Sequence, residues 1–331
     1  MRCLILLVLL TMVLTSCSSM QSLLVPHSQL PSLTPTAYPS DIPTDIPSTM
    51  TPSSTLTPEL PTAIATPACD PSATFCVLDG HFFFQRPISP PNRVTAENSY
   101  LFGSTEQGTH EPHHGIDLPN ATGTHVLAVA DGTVVFAGGD DKDPVSPWKD
   151  FYGNVIIILH NLAGIPTPIY SLYGHLSEVD VVPGHAVHKG DLIGLVGSTG
   201  VAMGSHLHFE VRAGENTYHN STNPALWLIP LEGKGVIAGR VVDQKGKMVH
   251  LTNLRMQFYP SDPSQPNFAL QVETYAPEKD HVSSDSELQE NFAVGDLMPG
   301  RYRLVFEDDG INDRWVDVQA GKLTYVVFIV K

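Results

Sequence analysis

Eleven of the fifteen histidines lie between His110 and His219, about one third of the chain. Neutral imidazole is the commonest metal ligand, so histidine crowded in this way suits a metal site. Three clusters carry the signal. In His113-His114-Gly115-Ile116-Asp117, Gly115 and the nearby Pro119 disfavour a helix. Alternate side chains of an extended chain share a face. His113 and Asp117 therefore point one way, and Ile116 and Leu118 can face a core. In His206-Leu207-His208 the two imidazoles share one face, while Leu207 and Phe209 share the other. The third cluster is Tyr173-Gly174-His175-Leu176. Zinc accepts imidazole nitrogen and carboxylate oxygen, and a catalytic zinc keeps one position open for water. Two histidines, one aspartate and a water satisfy that rule.

The elements that must hold these residues read as strands. Val155-Ile156-Ile157-Ile158-Leu159 and Leu192-Ile193-Gly194-Leu195-Val196 are apolar runs of strand length, and His206 to Val211 alternates strictly. Val126 to Ala130 and Thr133 to Ala137 flank Asp131-Gly132, a hairpin signal. No long amphipathic helix is evident. The pattern predicts an all-β or β-dominated domain of stacked sheets. After Pro230 a second set of strands begins with Gly235 to Asp243. It continues through Leu254 to Tyr259 and Tyr302 to Phe306, and ends at Tyr325 to Val330. About 100 residues suffice for a small sandwich. Its acidic middle, Glu273 to Glu290, reads as a long loop.

Together, His113-x-Gly115-x-Asp117, Tyr173-Gly174-His175-Leu176 and His206-Leu207-His208-Phe209-Glu210 resemble the motifs of the lysostaphin-type zinc endopeptidases. Gly123-Thr124 to Gly138 and Val187 to Gly194 add to the likeness, which covers roughly Phe82 to Leu228. The resemblance implies that His113, Asp117 and His208 are zinc ligands and that His175 and His206 are catalytic. His114 is the competing ligand, but the family register and the face parity both select His113. Glu210 shares the histidine face, either orienting a ligand or standing as a surface carboxylate. The family implies hydrolysis of peptide bonds in peptidoglycan stems or cross-bridges. With no His-Glu-x-x-His helix present, His206 or His175 would accept the water proton and the other would stabilise the oxyanion. Ser205 stands where many members have Pro, Thr105 where Arg is usual, and Gly139 to Phe151 is a longer insertion carrying Trp148. These departures bear on substrate preference. The C-terminal segment resembles the carboxypeptidase regulatory-like, transthyretin-like (prealbumin-like) β-sandwiches. Val236 to Asp243 and Phe292 to Tyr302 carry that likeness, and no catalytic cluster lies there.

The remaining histidines read as ordinary. His185 and His188 sit beside turns and are expected exposed. His160 ends a buried strand and reads as a satisfied structural residue. His110, His125 and His219 carry no motif. Asp140-Asp141-Lys142-Asp143 reads as a solvated loop.

The N-terminus has one arginine followed by a short apolar run, Leu4 to Leu14, the pattern of a signal peptide. The run is too short to span a bilayer, which takes about 20 apolar residues. Leu14-Thr15-Ser16-Cys17 resembles a bacterial lipobox, implying residues 1–16 as signal peptide and Cys17 as the lipidated residue. Residues 17–67 read as a Pro/Ser/Thr-rich stalk. Between Pro26 and Pro67 there are 10 Pro, 15 Ser/Thr and no Gly, Lys or Arg. Such a segment cannot build a core and favours an extended spacer. The expected organisation is therefore 68–229 for the metallopeptidase domain and 230–331 for the C-terminal sandwich.

Two of the four cysteines, Cys3 and Cys17, sit in the N-terminal apolar segment. That leaves Cys69 and Cys76, which suit a disulfide in an oxidising compartment, the alternative being two free thiols. The net charge of −16 makes nucleic acid a poor partner, since its binding needs a basic face. It also disfavours electrostatic binding to anionic lipid. The expected partners are peptidoglycan peptides and a membrane reached through the lipid anchor, with an extracytoplasmic location. Two other readings compete: a non-catalytic relative that activates another wall hydrolase, and a lipoyl-type carrier suggested by Gly190-Asp191-Leu192-Ile193-Gly194. The carrier reading lacks a carrier lysine.

Overall fold

The structure is a computed structural model, and it describes residues 69–260, 264 and 266–331. The leader (1–16), the lipobox Cys17 and the stalk (17–67) lie outside the described residues. In chain order the strands are β1 Cys76–Leu78, β2 Ile116–Pro119, β3 His125–Leu127, β4 Gly132–Gly139, β5 Asn154–His160 and β6 Ile169–Val179. Next come β7 Ala186–Val187, β8 Leu192–Val196, β9 His206–Ala213, β10 Ser221–Thr222, β11 Gly235–Val242 and β12 Leu254–Tyr259. The last are β13 Phe268–Val272, β14 Phe292–Leu297, β15 Gly300–Glu307, β16 Ile311–Val318 and β17 Leu323–Ile329. Helical structure among the described residues is limited to two 3-10 turns and one four-residue helix, α1 Pro277–Asp280. None of it is long and apolar enough to cross a membrane. The described residues are mostly β with few helices, as their short apolar runs predict.

Strands β2 to β10 form one nine-stranded sheet, with β9 flanked by β2 and β6. The odd residues of β9, Leu207, Phe209 and Val211, enter a large apolar core together with Ile116, Leu118, Ile156 and Tyr173. The even residues turn to the opposite face. Two four-stranded sheets follow, in the orders β1-β17-β11-β14 and β13-β12-β15-β16. They share a second core that includes Ile237, Val241, Met256, Leu304, Val326 and Phe328.

One expectation changes. The two apolar runs around Asp131-Gly132 do not make a hairpin: β3 pairs with β8, and β4 with β5 and β7. A two-residue I′ turn needs positive φ at both central residues, and neither Asp131 nor Gly132 has it. Asp131 instead ties other segments together. Its backbone oxygen meets His160 Nδ1 at 2.8 Å and its carboxylate accepts from Lys189 N–H at 2.8 Å. Segments on either side of residue 230 pack together. Cys76–Leu78 is hydrogen-bonded to β17 of the C-terminal sheet. Val236, Ala238, Leu323 and Tyr325 pack into the first core, while Ile237, Val241, Val326 and Phe328 pack into the second. The sheet carrying β11 and β17 is therefore buried on both faces, and every described residue falls in one compact unit. Cys69 and Cys76 are disulfide-bonded.

Candidate metal centre

The antiparallel register places Asp117 of β2 opposite His208 of β9, with Gly174 of β6 on the other flank of His208. His113 lies just before β2. Gly115 between them is needed for space: a Cβ there would fall 2.4 Å from the Phe209 carbonyl and 2.9 Å from His208 Nε2. The result is a tight triangle. His113 Nε2 lies 3.2 Å from Asp117 Oδ1 and 3.3 Å from His208 Nδ1, and His208 Nδ1 lies 2.9 Å from Asp117 Oδ1. Among the described residues this is the one group of histidine, cysteine or acidic side chains gathered closely enough to hold a metal ion.

The outer partners fix which nitrogens carry protons. His113 Nδ1 donates to the Tyr100 carbonyl at 2.8 Å, and His208 Nε2 donates to Glu210 Oε1 at 3.1 Å. Both inner nitrogens are thus lone pairs in the neutral rings, aimed at a carboxylate oxygen and at each other. Three acceptors facing one another call for a cation, and two imidazole nitrogens with one carboxylate oxygen suit zinc. Burial works against charge on both Asp117 and His208. It is outweighed by His113 and His208, which hold the Asp117 carboxyl far below the usual range. For His208 it is outweighed by the hydrogen bonds to Asp117 and Glu210, which push the imidazole up to about 9, so that without a cation a proton on His208 Nδ1 takes its place against Asp117.

His175 and His206 complete the ring of imidazoles, their centroids 4.7 Å apart. His175 Nδ1 donates to the Thr199 carbonyl at 2.9 Å, and His206 Nδ1 donates to the Gly204 carbonyl at 3.0 Å. Each therefore turns its Nε2 lone pair inward, and His206 Nε2 sits 3.5 Å from Asp117 Oδ1. Burial, then the charges of His208 and His206, push His175 down to about 3. Burial also lowers His206, against the pull of Asp117. Strict alternation along β6 would send His175 to the same side as the core residue Tyr173. A left-handed φ of 61° at His175, with irregular pairing on both flanks, re-aims it toward His206 and His208.

Every sequence-selected residue of the zinc domain reaches this centre except the competitor His114. That ring stacks on Tyr218 at 3.6 Å and its Nδ1 meets the Tyr218 carbonyl at 2.9 Å. Glu210 is no surface carboxylate. It is fully buried, accepts from Arg212 Nε at 2.8 Å and also from the Tyr152 hydroxyl. Arg212 and Tyr152 were not anticipated, although Arg212 continues the even series 206, 208, 210 and alternation could have found it. Tyr100, stacked on His113 at 4.2 Å, gave no periodic signal. The 140–143 segment is solvated only in part. Asp141, Lys142 and Asp143 are exposed, but Asp140 is fully buried and accepts from Tyr152 N–H at 3.0 Å. The same insertion offers the Val145 carbonyl to Arg212. His160 is buried and bonded, and His185 and His188 are exposed.

One β-sheet thus gathers two histidines and an aspartate beside two further inward imidazoles. Residues 111–224 match the model of peptidase family M23, and the matched stretch contains the metal-binding group His113, Asp117 and His208. The chain is 42% identical over 100 residues to a protein described as "DD-carboxypeptidase/endopeptidase Mpg" from Neisseria meningitidis serogroup B, which covers 30% of this chain and 20% of that one. It is 36% identical over 111 residues to "Murein hydrolase activator NlpD" of Escherichia coli, covering 34% and 24%. The chain thus spans about a fifth to a quarter of the length of these curated relatives. The solved catalytic domain of lysostaphin from Staphylococcus simulans is 28% identical, with 39% of this chain and 86% of that domain covered and a TM-score of 0.31.

Proposed function

We propose that this chain is a zinc-dependent endopeptidase that hydrolyses peptide bonds of bacterial cell-wall peptidoglycan. The observation that carries this reading is the convergence of His113 Nε2, Asp117 Oδ1 and His208 Nδ1, with two neutral imidazoles beside them. Zinc, when bound, lowers the pKa of a coordinated water to about 7 and polarises a carbonyl. The chain's own residues supply the rest. Tyr100 and Glu210 orient the ligands His113 and His208. His206 and His175 keep Nε2 free at neutral pH, so one can take the proton of the attacking water. The imidazolium so formed can stabilise the oxyanion and return the proton to the leaving amine.

The reading extends outward from the domain. Cys17 is assigned as a lipid anchor to the cell-envelope membrane, and residues 17–67 as a spacer that would let the enzyme reach the wall. Cys17→Ser should abolish metabolic labelling with palmitate; retained label would refute the anchor. The C-terminal strands are inferred to be a transthyretin-like β-sandwich of the carboxypeptidase regulatory-like kind. Two four-stranded sheets around one core support that inference.

A second reading, activation of another wall hydrolase, is favoured by the similarity to a murein hydrolase activator. The complete histidine and aspartate set argues for activity. Zinc analysis with a turbidity assay on purified peptidoglycan separates the two. Lysis by a zinc-loaded protein supports the enzyme, and no lysis by the same protein supports the activator.

A further inference from the structure

Metal ligands outside regular structure need something to hold them. His113 precedes β2 and is fastened to the loop that begins at Tyr100. Gly103 N–H donates to the His113 carbonyl at 2.7 Å, and His113 N–H donates to the Ser104 carbonyl at 3.0 Å. Tyr100 lies flat on the imidazole, 5° from parallel, and its backbone carbonyl accepts from His113 Nδ1–H at 2.8 Å. The orientation of His113 is therefore only as good as that of residues 100–107.

That loop does not hold itself. Glu106 and Gln107 are consecutive non-glycine residues with left-handed φ of 46° and 61°. Backbone of this kind is costly unless its surroundings fix it, and it aims N–H groups at a common anion position. The anion is Glu273, from the segment after β13. Its Oε1 accepts from Ser104 Oγ at 3.0 Å and from Gln107 N–H at 2.8 Å. Its Oε2 accepts from Thr105 N–H at 3.0 Å and from Thr105 Oγ1 at 2.8 Å. Two residues further on, Tyr275 packs edge-on to Phe102 with centroids 5.3 Å apart. A Cβ at Gly103 would fall 2.5 Å from Tyr275 Cδ1. The C-terminal region thus grips the loop at an apolar end and at a polar end. Thr105, which departs from the Arg usual in the resembled family, supplies two of the four donors.

We propose that Glu273 is a positioning residue for the metal centre: through the 103–107 loop, the C-terminal β-region sets the orientation of His113. This rests on the metal-centre reading above, and it gives the C-terminal region a role in the chemistry of a site it does not touch. Because β11 and β17 pack into the core of the peptidase sheet, the grip on the loop has a fixed base.

The test uses the full chain with Glu273→Gln and, separately, Ser104→Ala combined with Thr105→Val. The first places an amide N–H₂ among N–H donors. The second removes the two hydroxyl donors and leaves Glu273 in place, so it serves alone if the first variant fails to fold. Two quantities are measured: the zinc Kd by chelator competition, and the His113 Nδ1–H signal of the metal-free protein by nitrogen-resolved NMR. Both variants should weaken zinc about tenfold, the lower end for loss of a ligand's outer support. Both should also broaden or shift the His113 signal. A zinc Kd within twofold of wild type and an unmoved His113 signal would overturn the proposal, even if Tm falls. Failure of the wild type to bind zinc would instead refute the metal-centre reading. The His113 signal would still decide the positioning claim.

Discussion

The histidine centre on β2, β6 and β9 and the acidic segment 273–290 are both buried and both polar, but they are satisfied in opposite ways. In the acidic segment every principal carboxylate meets donors. Glu273 receives four, and Asp280 receives Ala276 N–H at 2.6 Å and His250 Nδ1 at 3.2 Å. Asp285 accepts from the N–H groups of Glu287 and Leu288, both at 3.0 Å. Glu290 accepts from the Tyr275 hydroxyl and from Asp285 N–H. Around the histidine centre the outer nitrogens are equally well paired. Only the inner atoms face acceptors across distances of 2.9–3.3 Å. Buried polar groups are nearly always paired. A cluster closed by its own donors is structural, and a cluster whose lone pairs converge is prepared for a cation. The acidic composition of 273–290 is by itself no sign of a metal site.

Substitutions can break this contrast. The largest effect is expected from His208→Ala or Asp117→Ala, which should reduce bound metal from about one per chain to background by elemental analysis and abolish hydrolysis. His175→Ala and His206→Ala come next. Metal content should hold while kcat falls about 10²- to 10⁴-fold, the usual size of a lost acid–base group. Full activity in either variant would remove that residue from the reaction. Glu210→Ala should act on both stability and metal. It strands the buried Arg212 guanidinium, costing about 3–5 kcal/mol in denaturant unfolding, and weakens zinc about 10- to 100-fold.

Glu290 sharpens the other side of the comparison. Burial pushes its carboxyl up to about 8 against the pull of the Tyr275 hydroxyl. The folded chain keeps this proton where the unfolded chain, with a carboxyl near 4.3, releases it. Its contribution to stability is full below about 4.3 and is lost as pH rises through about 8. Glu290→Gln should therefore flatten the decline of stability between pH 5 and 8, measured by denaturant unfolding. An unchanged slope would show that Glu290 does not hold that proton. The smallest effect is expected at His188, which is exposed. His188→Ala should stay within about 0.5 kcal/mol of wild type in stability.

Much of the site was legible because it follows strand parity. His206, His208, Glu210 and Arg212 are a period-2 series, and Leu207, Phe209 and Val211 mark the core face. Parity also paired His113 with Asp117. It failed at His175, where backbone with positive φ breaks the alternation, and only the motif placed that residue in the site. Tyr100 and Glu273 act through loops and carry no period. The Asp-Gly pair does not make a hairpin because neither residue adopts the positive φ that an I′ turn requires. The packing across residue 230 was illegible for a different reason. Strands β11 and β17 are buried on both faces, and near-continuous apolar runs do not say which core each face joins.

The most direct test of the central claim is mass spectrometry of purified peptidoglycan after incubation with the zinc-loaded full-length protein. Fragments with new amino termini within the stem or cross-bridge peptides are expected, and they should be absent when Asp117→Ala is used. Unchanged peptide masses from a protein carrying one zinc per chain would contradict that claim.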